Sequence, residues 1–217
     1  MLTDMTQEFP IRLLQQSRTP VYLYDTKLLD RTLAELKRAS DYPGYYVHYA
    51  VKANANPLIL KHILDAGLGV DAVSGGEIQA ALNAGFAPGK IVFAGVGKRD
   101  DEILLALRAG ICCFNVESAA ELDVLESLAE SLGVSAPVAL RVNPNIDAHT
   151  HSYITTGLSE NKFGISVEML DPLVNRCANS RFLQLKGLHF HIGSQIRDKG
   201  PFRVCLLYTS PSPRDGA

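Results

Sequence analysis

The chain has 217 residues, 47% of them hydrophobic, with 17 glycines and a formal net charge of −2. That is enough for one large domain or two small ones, and the near-neutral balance excludes the strongly basic surface that nucleic acid or an anionic membrane demands. The cysteines Cys112, Cys113, Cys177 and Cys205 form no CxxC pair, so a reduced, cytoplasmic chain is expected.

The opening MLTDMTQEFP has no apolar core, and no apolar run is long enough to cross a bilayer. Neither a secretory signal nor a membrane span is therefore expected. Val21–Tyr24 reads as a short strand. Asp25 can cap a helix reaching about Ser40, with Leu28, Leu29, Leu33 and Leu36 on one stripe. Tyr45–Ala53 is β-branched and aromatic, the composition of a buried strand. Asn56-Pro57 then supplies an N-cap and a first-turn proline for a helix to Ala66.

From there a strand–helix unit repeats. Strands are predicted at 70–73, 90–94, 111–116, 138–142 and 185–192, and helices at 75–84, 100–108, 118–132 and 167–178. A long irregular stretch covers 143–164. About six strands alternating with amphipathic helices imply a parallel sheet covered by helices. The choice lies between an open doubly wound sheet and a closed (β/α) barrel. No GxGxxG follows the first strand, which weighs against a dinucleotide fold.

The strand ends carry the chemistry. They finish in Lys52 and Asn54, Asp71 and Ser74, Gly95, Asn115 and Glu117, Arg141 and Asn143, and His189, His191 and Ser194. In a barrel these converge on the one face where active sites lie. Burial lowers a lysine's pKa, and the neutral amine forms Schiff bases with aldehydes. Lys52 is placed for that, although a lysine at a strand end can also simply reach solvent. Ser74-Gly75-Gly76-Glu77 fits a capping box, so Glu77 has a structural reading beside the functional one. Ser118-Ala119-Ala120-Glu121 is read as structural only. Asp71 inside a strand needs a partner, and Arg141 is a candidate. His189 and His191 share a strand face, but a third metal ligand at suitable spacing is lacking, so no metal is expected.

Four stretches together resemble the pyridoxal 5'-phosphate-dependent decarboxylases of the alanine-racemase-like barrel fold. They are Tyr49-Ala50-Val51-Lys52-Ala53-Asn54, Val70–Glu77, Tyr153–Gly157 with Asn161–Gly164, and His189-Phe190-His191-Ile192-Gly193-Ser194-Gln195. The spacing from Lys52 to Asp71 and Glu77 agrees as well. The TGL…NKFGI loop and the HIGSQ strand favour the branch acting on meso-diaminopimelate over the ornithine and arginine branches. The resemblance implies an α/β (β/α)8 TIM barrel holding pyridoxal 5'-phosphate. In it Lys52 would carry the cofactor covalently and His191 would stack on the ring. Ser194 and the Gly193 backbone would hold the phosphate, and Asp71, Glu77 and Arg141 would form the surrounding polar network. It also implies decarboxylation to L-lysine and CO2 by a homodimer.

By the same resemblance the barrel is incomplete, lacking its last two strands and a C-terminal β-domain. Residues 1–25 would join that domain, 26–204 would form the partial barrel, and 205–217 would be a non-native or disordered tail. An ornithine- or arginine-type decarboxylase, an amino-acid racemase on the same barrel, and a non-catalytic binding relative are the alternatives. The HIGSQ strand opposes the racemase, and the retained Lys52, Asp71, Glu77 and His191 oppose the binding protein.

Overall fold

The computed structural model describes residues 11–143, 163–193, 199–200 and 202–203. Its elements run α1 (Ile11–Gln16), α2 (Thr26–Ala39), β1 (His48–Ala50), α3 (Pro57–Asp65), β2 (Gly69–Ala72), α4 (Gly75–Asn83), β3 (Ile91–Phe93), α5 (Asp100–Ala109), β4 (Cys113–Val116), α6 (Ala119–Leu132), β5 (Ala136–Asn143), β6 (Ile165–Ser166), α7 (Leu170–Asn179) and β7 (Leu183–Phe190). Local chemistry sets the helix starts. Asp25 accepts from the Leu28 N–H and Asn56 from the Leu58 N–H, both at 2.9 Å, and Pro57 opens α3.

Every ladder is parallel, and the strands follow chain order β1-β2-β3-β4-β5, with β7 on the far edge of β5. The two-residue β6 pairs with the end of β5 at Val142 and Asn143. A doubly wound sheet reverses its strand order at a switch point. This sheet never does, so it is an arc of a (β/α) barrel.

The register sorts side chains onto two faces. Val70, Ala72, Ile91, Phe93, Phe114, Val116, Val138 and Leu140 are buried against Leu60, Ile78, Ile103 and Leu122 of the helices in one core. The alternate residues, including Asp71, Val92, Cys113, Asn115, Ala139 and Arg141, face the other way, toward the barrel interior. On β7 one residue is extra to the ladder. Leu185 pairs with Val138 and Gly187 with Ala139, leaving Lys186 between them, and Gly187 takes φ 157°. This bulge lets Leu183 and Leu185 face the helices while His189 lies beside Arg141.

Several expectations are corrected. The first strand stops at Ala50, and Val51–Ala53 form a 3-10 turn. Lys52 therefore sits just past the strand and is exposed rather than buried. Val21–Tyr24 pairs with no strand among the described residues and is exposed; β propensity makes no strand without a partner edge. On α2 only Leu33 is buried, while Leu28 and Leu36 are exposed. Residues 144–162, with most of the TGL…NKFGI loop, Ser194 and the 205–217 tail lie outside the described residues.

Candidate active site

The inner face gathers charge at the C-terminal ends of the strands. Lys52 follows β1, and its ammonium has no hydrogen-bond partner among the described residues; Asp71 is its charged neighbour. Asp71, next door on β2, points Oδ1 into the interior without a hydrogen-bond partner there. Burial pushes its carboxyl above the usual range; Glu77 adds to this, and Lys52 and Lys98 oppose it.

Glu77 is held by its own helix start. Its N–H donates to Ser74 Oγ at 3.3 Å, and its Oε2 accepts from the Val73 N–H at 2.8 Å. The capping motif is real, but the carboxylate reaches one residue beyond the cap. Glu121 repeats this on α6: its N–H donates to Ser118 Oγ at 3.1 Å, and its Oε2 accepts from the Glu117 N–H at 2.9 Å. The two motifs differ in their second oxygen. Glu121 Oε1 accepts from Lys98 Nζ at 2.6 Å, whereas Glu77 Oε1 has no hydrogen-bond partner among the described residues.

Arg141 does not pair with Asp71. Its Nη1 donates to both oxygens of Glu117, at 2.6 and 2.8 Å, and its guanidinium lies 5.9 Å from the Phe163 ring centre. Sequence cannot tell which of several strand-end carboxylates an arginine chooses; register decides, because Glu117 continues β4, the immediate neighbour of β5. Glu117 was visible as a polar strand end but not as a site residue.

Lys98 gave no such signal, since it lies in the loop after β3, beyond Gly95. Its side chain is 1% exposed, and Nζ donates to the Gly95 carbonyl at 2.8 Å, the Asn115 carbonyl at 2.7 Å and Glu121. Phe93 presents its ring 5.5 Å away. Two lysines thus stand at this mouth, one saturated and one available.

His189 faces the interior with Nδ1 buried and unpartnered among the described residues. Burial first, then the positive charges of Arg141, His191 and Lys98, bring its pKa down to about 4. His191 lies just past β7 and is exposed, and Gly193 has φ 124°. Cys113, on the same face, is pushed up to about 12 by burial and is inert as a thiol. The structure thus brings Lys52, Asp71 and Glu77 into one electrostatic group, and Arg141, His189 and His191 into another, with Lys98 acting on both. Among the described residues no cluster of three metal-ligating side chains forms, and no helix is long and apolar enough to cross a membrane.

Comparison with known proteins gives a consistent result. Residues 29–206 match the family described as pyridoxal-dependent decarboxylase, pyridoxal binding domain. The diaminopimelate decarboxylase of Bacteroides thetaiotaomicron is 54% identical over 195 residues, covering 89% of this chain and 50% of that protein. A crystal structure of the Helicobacter pylori diaminopimelate decarboxylase complexed with L-lysine superposes with a TM-score of 0.80 at 44% identity, covering 90% of this chain and 50% of that one. The corresponding enzyme of m. jannaschi gives 0.78 at 37% identity, covering 89% and 46%. The chain spans about half the length of the relatives it matches.

Proposed function

The chain belongs to the pyridoxal-dependent decarboxylases, and on that premise we propose that it is the cofactor-binding barrel of an enzyme converting meso-diaminopimelate to L-lysine and CO2. The carrying observation is the pairing of an available amine, Lys52, with an unpartnered carboxylate, Asp71 Oδ1, at the end of adjacent strands. Pyridoxal 5'-phosphate fits these residues: an aldehyde needs a lysine free of competing hydrogen bonds, and a polar ring needs unsatisfied polar atoms. Asp71 Oδ1 and His189 Nδ1 are such atoms.

When bound, the cofactor acts as an electron sink that lets the substrate's Cα release its carboxylate. The chain's own residues do the rest. Lys52 holds the cofactor and His191 covers one ring face. Gly193 and Ser194 bind the phosphate. Glu77, fixed at the head of α4, adds a second negative charge beside Asp71. Glu117 keeps Arg141 from swinging into solvent, so its charge faces the ligand. Glu77, Glu117 and Arg141 are positioned before ligand arrives, so little reorganisation of these side chains is left for the reaction.

The same reading assigns residues 26–204 to the barrel, 1–25 to a further β-domain, and 205–217 to neither. It makes the complete enzyme a cytoplasmic homodimer. The relatives' names support the substrate, and the H. pylori complex with L-lysine supports the product.

The test has two parts. Incubated with pyridoxal phosphate and reduced with borohydride, the chain should gain the phosphopyridoxyl mass on the peptide carrying Lys52, and Lys52→Ala should not. Joined to the C-terminal half of the H. pylori relative, it should release CO2 from meso-diaminopimelate and not from L-ornithine or L-arginine. Labelling at another lysine, or release from ornithine, would overturn the assignment.

A further inference from the structure

We propose that Lys98 is a positioning residue for this site, holding the turn after β4 so that Glu117 aims Arg141 across the inner face. The inference rests on the functional reading above for what Arg141 faces, but its geometry stands alone. A buried ammonium with three acceptors at 2.6–2.8 Å is fully satisfied, so Lys98 is no nucleophile. Its acceptors come from three places: the loop after β3, the end of β4, and α6. It therefore ties together strand ends that the ladder itself no longer joins, because β3 stops at Phe93 and β4 at Val116.

The link to Arg141 runs through two carboxylates, Glu121 and Glu117. Glu121 takes Lys98 on Oε1 and the Glu117 N–H on Oε2. Glu117 then gives both its oxygens to Arg141 Nη1. Along the row Lys98, Glu121, Glu117, Arg141 the charges run plus, minus, minus, plus, so each buried charge has an opposite neighbour. Without Lys98, Glu121 loses its counter-charge in a site only 13% exposed. A buried carboxylate left so is strongly unfavourable; it withdraws toward water and releases the Glu117 N–H. Among the described residues the equivalent Glu77 turn has no such lysine, which marks the Lys98 lock as specific to the Arg141 side.

The experiment uses the full chain and two readouts. In nitrogen-15 NMR without cofactor, the Arg141 guanidinium should give a protected Nη1–H signal, lost in Lys98→Met as in Glu117→Gln. Pyridoxal phosphate affinity should fall roughly tenfold in each, the loss of one charge-assisted contact. Lys98→Met combined with Glu117→Gln should lose no more than Glu117→Gln alone, because both act through one link. Circular dichroism establishes that each variant is folded. Should Lys98→Met not fold, Glu121→Gln, which keeps an acceptor but removes the charge, gives the same comparison with a smaller loss. Strictly additive losses, or an unchanged Arg141 signal in the folded Lys98 or Glu121 variant, overturn the proposal. If the wild-type chain binds no pyridoxal phosphate, the functional reading fails while the NMR comparison still decides the role of Lys98.

Discussion

His189 carries a pH dependence that a substitution can isolate. Its folded pKa, about 4, lies below the ordinary 6.5. Between those values the unfolded chain binds a proton that the folded chain refuses. Its contribution is therefore present above 6.5 and lost as pH falls to about 4. At most about 3.5 kcal/mol is involved, counting the fall from 6.5 to about 4 at about 1.4 kcal/mol per pKa unit. Denaturant midpoints measured across this window should fall less steeply for His189→Gln than for the wild type. Some slope should remain, because burial also lowers the pKa of His48, while the raised Asp71 works in the opposite sense. At this scale the sequence disclosed Lys52, Asp71 and Arg141 because polar residues ending apolar strands stand out. It did not disclose Lys98, whose loop carries no periodicity, or the choice of Glu117 over Asp71 as the arginine's partner, which depends on which strands are neighbours.

Among the elements, helix starts were the most legible feature, since Asp25, Asn56, Ser74 and Ser118 all cap as their side chains dictate. Replacing Ser118 by Ala should cost about 1 kcal/mol in thermal or denaturant unfolding. The strands were less legible at their ends. Tyr45–Val47 has strand composition but precedes β1, because pairing with β2 begins only at His48 opposite Gly69. That crossing is tight: a Cβ on Gly69 would lie 2.5 Å from the His48 ring and 2.7 Å from the Lys90 carbonyl oxygen. Gly69→Ala should thus destabilise by about 3 kcal/mol, read as a lower denaturant midpoint. Recovery in His48→Ala combined with Gly69→Ala would identify the ring as the main obstacle; no recovery would point to the backbone carbonyl.

For the whole molecule, the strand–helix alternation was enough to predict a parallel α/β sheet, and chain-order pairing resolved it to a barrel arc. Among the described residues, β1 and β7 each pair on one side only. Near β1 the surface exposes Tyr22, Tyr24, Tyr45 and Tyr46. Unpaired strand edges beside apolar surface favour association. Light scattering of the 217-residue chain should show mass rising with concentration, and joining the C-terminal half of a relative should suppress the rise.

The bulge on β7 makes an unusual statement about insertions and deletions. Alternation on a strand normally makes a one-residue deletion ruinous, since everything beyond it turns over. Lys186 is the exception: without it, Leu185 is followed directly by Gly187 opposite Ala139, and His189 still falls opposite Arg141. An alignment gap at 186 is therefore silent for the interior, whereas a gap at Leu188 is not. Deleting Lys186 should leave the melting temperature nearly unchanged, and deleting Leu188 should lower it sharply. The tolerated deletion has a different cost. It straightens an outer strand and strips its charge, so the shortened chain should aggregate more readily while folding as before.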